Sequence, residues 1–159
     1  MKNTIDITDI IETIDFTSEE STSYLDRDTA RIMTVSEEEM TAAEDNEPLD
    51  DFPKWEHENI IFAKKVMRHK GNDIVPLPTE DDLDEYILME KFVTTLDDKR
   101  VSESLSNALN GNHPFRRFKE KLHDFDISGK WYKYRDYAYK EIVVDWCGEN
   151  KIEYIDDLP

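Results

Sequence analysis

The stretch from Phe115 to Lys140 gathers the side chains best suited to chemistry, with eight of the 17 aromatic residues and eight of the 20 Lys and Arg residues. Cations interleaved with rings are what single-stranded nucleic acid binding requires, the cations following phosphates and the rings stacking on bases. Helical spacing weighs against that use. At about 100° per residue, Phe115, Phe118, Leu122 and Phe125 share one arc. Arg116, Lys119 and His123 lie on one shoulder of it, and Arg117 and Lys121 on the other. The rings are then expected to face a core, with the cations divided between its flanks. Arg116, Arg117 and Lys119 stand as candidate ligand- or anion-binding residues, and the nucleic-acid reading adds Lys130 and Lys133.

Arg135 is the fourth candidate. Trp131, Tyr134, Ala138, Ile142 and Trp146 form one face of a last helix, widened by Tyr132, Tyr139 and Val143, while Lys133 and Lys140 lie opposite. Arg135 falls inside the apolar arc. A guanidinium there needs a carboxylate, backbone carbonyls or an anionic ligand, because an unpaired buried charge is very costly. Asp145 is too far along the same helix to serve. The expected partner is an acid from another helix, with a bound anion as the alternative.

The remaining catalytic inventory is thin. His57, His69, His113 and His123 lack metal-ligand spacing, and four glycines leave no room for a phosphate-binding loop. Cys147 is the single cysteine, so neither an internal disulfide nor a zinc pattern arises. Its place at a helix end suits a packed, inert thiol. No catalytic residue, metal site or cofactor is expected.

Net charge is −18, unevenly spread. Residues 1–58 carry 18 acids against 4 bases, whereas residues 113–140 carry 8 bases against 4 acids. Such a chain is repelled at long range by nucleic acid and by anionic membrane. The clusters Glu37-Glu38-Glu39, Asp50-Asp51 and Glu80-Asp81-Asp82 read as helix-start charge and solvated linker. A sharper reading of them is a surface that mimics DNA phosphates or docks a basic protein. Apolar runs no longer than four residues exclude a membrane span. The N-terminus does not resemble a signal peptide, and a cytoplasmic location is expected.

The elements that position these residues are mostly helices, with a fold expected to be mainly α (α+β). An N-terminal helix carries Ile7, Ile10, Ile11 and Ile14, capped by Asp6 or Thr8. Two β-prone runs around Asp26-Arg27-Asp28-Thr29 predict a hairpin. Ser36 and Glu39 form a capping box for a short acidic helix. Residues 1–47 thus make an N-terminal part, 48–54 a linker with Pro48 and Pro53, and 55–159 a helical domain. Within the latter, helices are expected over about 55–69 ended by Gly71, from Thr79 through Leu96, over Val101–Leu109 closed by Gly111, from Pro114, and over about 130–147. Ser128-Gly129 is read as a break and Gly148 as a stop. Ile74–Pro78 must be extended, because residues before proline avoid the helical region.

The order of these features resembles uncharacterised protein family number 0158 of the UPF series, a bacterial family. The resemblance rests on Ser23-Tyr24-Leu25-Asp26, Trp55, Val75-Pro76-Leu77-Pro78, Met89-Glu90-Lys91-Phe92, Phe115-Arg116-Arg117-Phe118-Lys119, Trp131 and the segment from Trp146 to Glu153. It covers nearly the whole chain. It implies a single module of bacterial origin and brings no activity, cofactor or site residue with it.

Acidity, absent motifs and helical architecture together give the leading functional expectation, a non-enzymatic interaction or regulatory module with a protein partner. Nucleic-acid association through the basic aromatic segment 115–140 is the runner-up, disfavoured by net charge. A small enzyme built around Arg135 is third. The opposite charges of the N-terminal part and the basic segment leave homodimerisation open.

Overall fold

Asp6 starts the first helix, its Oδ1 accepting the Thr8 amide at 2.9 Å. In the computed structural model, which describes residues 4–68 and 73–158, helix α1 spans Ile7–Phe16 and buries Ile7, Ile10, Ile11 and Ile14. The short strand β1 (Ile5–Asp6) precedes it and pairs in parallel with β5 (Tyr154–Ile155) near the C-terminus. The expected hairpin is present as β2 (Ser21–Asp26) and β3 (Arg31–Ser36), in antiparallel register with Ser23 opposite Thr34 and Tyr24 opposite Met33. The extended Ile74-Val75-Pro76 forms β4, giving a three-stranded sheet of order β3-β2-β4. His69 and Gly71 lie outside the described residues, and so does the expected glycine end of the helix before β4.

Because side chains alternate across a strand, β3 divides its residues between two environments. Met33 and Val35 are buried with Ala42 and Ala43 of α2 (Glu37–Glu44) and Ile60, Phe62 and Ala63 of α3 (Lys54–Arg68). Ile32, Thr34 and Ser36 face the other way. Residues 48–54, expected as a linker, include a 3-10 turn at Leu49–Asp51. The fold is mainly α, with seven α-helices and the small sheet among the described residues.

Residues group into two compact units, Met1–Thr79 with Val143–Pro159, and Glu80–Ile142. The second is helical. The helix expected from Thr79 starts later: a 3-10 turn occupies Glu80–Asp82, and α4 (Glu85–Thr94) begins where Asp84 accepts the Ile87 amide. Helices α5 (Lys99–Leu109) and α6 (Pro114–Asp124) follow, and α7 spans Ser128–Glu149. Its core is a ring cluster in which Phe92, Phe118 and Trp131 meet edge to face, with centroids 5.3–6.3 Å apart. Each such contact adds about 0.5–1.5 kcal/mol beyond the area it buries.

Three helices end without a glycine, in one physical way. Gly148 lies inside α7 and does not stop it, and the break expected at Ser128-Gly129 falls just before it, at residues 125–127. The stops are instead left-handed residues without glycine: Asn46 (φ 52°), Asp126 (φ 57°) and Lys151 (φ 55°). After each, the next amide reaches back to the carbonyl five residues earlier, as in Ile127 N to Leu122 O at 2.9 Å and Ile152 N to Cys147 O at 2.8 Å. These paired bonds satisfy carbonyls that every helix end leaves orphaned.

Candidate partner-binding site

The Ser36-Glu37-Glu38-Glu39 sequence lines a concavity in the first unit. Ser36 accepts the Glu39 amide at 3.1 Å, and the Glu39 carboxylate accepts the Ser36 amide at 2.9 Å, which satisfies two donors at the start of α2. The same carboxylate takes two bonds from Asn59 Nδ2 at 3.1 and 3.3 Å. Glu39 is thereby held 4% exposed, its carboxyl group fixed by neutral donors at the start of α2. Glu20, Glu37, Glu38 and Glu56 stand around it, and the concavity measures about 590 Å³. No Lys, Arg or His is among the described residues lining it.

Trp55 stands at its rim, 74% exposed. A second concavity of about 560 Å³ shares Thr34 with the first and is lined by Asp9, Glu12 and Phe16, the last 87% exposed. The two therefore adjoin along β3, which is the edge strand of its sheet. Ala30, Ile32 and Thr34 border one and Thr34 and Ser36 the other. At about 3.3 Å per residue, the track along β3 is roughly 20 Å long. Carboxylates offer a cation its counter-charge, the Trp55 ring offers its face, and a strand edge offers backbone pairing.

The residues singled out from sequence land elsewhere. Arg116 pairs with Glu120 across one turn of α6, Nε to Oε1 3.8 Å, with both side chains well exposed. Arg117 folds its guanidinium against Gly111, where a Cβ would meet Nη1 at 3.1 Å. Lys119 is exposed on the same helix. Lys130 and Lys133 come together on a groove that none of those three lines. Of the predicted inward stripe, Phe118 and Leu122 are buried, but Phe115 is 47% exposed and meets Tyr86 edge on. Tyr132 likewise lies outside the buried face of α7.

Arg135 has its acid from another helix. Its Nε lies 3.5 Å from Glu85 Oε1 and its Nη2 4.0 Å from Glu80 Oε1, and the guanidinium sits 4.9 Å above the Tyr139 ring. Cys147 is fully buried, and burial pushes its thiol up to about 11. A thiol so shifted is a poor nucleophile near neutrality. Among the described residues no group of three His, Cys, Asp or Glu is placed to hold a metal ion, and no helix is long and apolar enough to cross a membrane.

Sequence comparison found one family whose model matches residues 2–158, described as an uncharacterised protein family, UPF0158. A curated relative from Pseudomonas aeruginosa, named UPF0158 protein PA5073, is 27% identical over 135 residues, which is 82% of this chain and 73% of the relative. No solved structure matches.

Proposed function

The chain belongs to the uncharacterised protein family UPF0158, and we propose that it is a non-enzymatic interaction module whose first unit docks a basic segment of a protein partner. The observation that carries this reading is Trp55, 74% exposed beside a buried carboxylate, Glu39, whose hydrogen-bond donors are neutral. A tryptophan held in water at the edge of a concavity is the residue type most enriched at binding hot spots. An incoming Arg or Lys would give the Glu37, Glu38 and Glu39 carboxylates their counter-ion and lie against the indole. The strand edge at β3 suits an extended occupant. The acidity of residues 1–58 supports the same partner by drawing cationic chains at long range.

Titration of a fluorescein-labelled peptide of alternating Arg and Ala against the full chain tests this. Trp55→Ala leaves the net charge untouched, so it separates a site from general attraction. The expected result is binding about tenfold weaker for Trp55→Ala and a shallower salt dependence for Glu37→Gln with Glu38→Gln. Equal affinity for Trp55→Ala, with all binding swept away by salt, would assign the attraction to bulk charge and sink the reading.

A further inference from the structure

We propose a second docking surface of opposite character in the helical unit, a groove that takes an apolar side chain of an acidic peptide segment from another protein. The groove measures about 650 Å³, within the range of sites that bind compact ligands. Leu96, Val101, Phe125, Ile127 and Tyr134 line it, together with Lys130 and Lys133. Those lysines are one helical turn apart on α7, both exposed, and neither has an ion pair among the described residues. A third base, Arg100, lies 5.8 Å over the Phe125 ring.

Charge decides the occupant. Asp97 and Asp98 line the groove as well. Asp98 is already engaged at the start of α5, accepting the Arg100 and Val101 amides at 3.0 and 3.4 Å. Its charge is thus partly answered by the helix end. Asp97 offsets part of the charge of Lys130 and Lys133, and the positive excess that remains beside the apolar lining selects an apolar anchor with Asp or Glu close to it in sequence. A helix in a groove presents that pattern when its apolar stripe is flanked by acids.

Single-stranded nucleic acid would use the same lysines, and the geometry favours it less. Tyr134 is committed to Phe92 at 5.4 Å and stacked on Trp131 at 6.5 Å, so its faces are not open platforms for bases. This proposal is independent of the one made for the first unit.

Selection of a random dodecapeptide library on the immobilised full chain, followed by anisotropy titration of the enriched peptides, tests it. Enriched peptides are expected to place Asp or Glu within one helical turn of Leu, Phe or another large apolar residue. They should bind a Lys130→Glu, Lys133→Glu double variant roughly tenfold more weakly at low salt. Both positions are exposed, so a melting curve matching the wild type shows that lost binding is not lost fold. Enriched peptides without acids, equal affinity for the double variant, or oligothymidylate binding with the same lysine dependence would overturn the proposal.

Discussion

Arg135 of α7 and Glu85 at the start of α4 stand 3.5 Å apart, Nε to Oε1, with the Arg135 side chain 12% exposed. Glu80 approaches the same guanidinium at 4.0 Å, and the Tyr139 ring lies beneath it. A flat cation thus joins two elements of the helical unit, stacked on one side and paired on its edge. An ammonium offers one point of charge and no plane.

Arg135→Lys is therefore expected to cost about 1–2 kcal/mol of stability. Arg135→Met should cost less, because Glu80 and Glu85 retain access to water at 55% and 28% exposure while the thioether fills the space over Tyr139. Urea unfolding of the two variants checks the order. A lysine variant as stable as the wild type would remove Arg135 from the structural account.

Asp26 carries a pH dependence of definite sign. It is buried, which pushes its carboxyl upward, but the Lys65 ammonium at 2.7 Å and the Asp28 amide at 3.1 Å outweigh that and hold it below the ordinary value. A carboxyl depressed in the folded state contributes its stability above the unfolded value and loses it as pH falls through the folded one. Asp26→Asn should thus cost about 1–3 kcal/mol at neutral pH and progressively less in acid. Urea midpoints of both proteins between neutrality and strong acid measure this, and a gap that persists unchanged into acid would contradict it.

The left-handed helix stops make a prediction that runs against a simple reading of glycine. Lys151 holds φ 55° at a cost that glycine would not bear, so Lys151→Gly should stabilise by about 0.5–1 kcal/mol. Gly148 lies inside α7 with nothing within 4 Å of where its Cβ would stand. Gly148→Ala should add about 1 kcal/mol. Thermal unfolding of the two variants decides, and a loss of stability in Gly148→Ala would mean that the helix ends where the sequence placed its glycine.

Much of this protein is written locally. Asp6 and the isoleucines after it fix α1 because cap and stripe need only neighbouring residues, and Ser36 with Glu39 fixes the start of α2 for the same reason. The β-prone runs on either side of Asp26-Arg27-Asp28-Thr29 give the hairpin, and the Phe118–Leu122 stripe gives the buried face of α6. The need of Arg135 for an acid on another helix also follows from its place in an apolar arc, since burial of a bare charge is forbidden wherever the fold puts it. The identity of that acid was settled by tertiary structure, because nothing along one chain direction says which carboxylate comes near.

The same holds for the surfaces. Exposure is a property of what does not pack against a residue, so only the fold shows that Trp55 and Phe16 stand in water. Thr34 joins two acidic concavities only because β3 lies at a sheet edge. Of the five bases that a linear reading grouped, Lys130 and Lys133 share a groove while Arg116 and Arg117 turn to partners on or beside their own helix. Sequence determined which residues carry charge and which elements they ride on. Packing decided which of them meet, since a surface is assembled from distant segments by the burial of others.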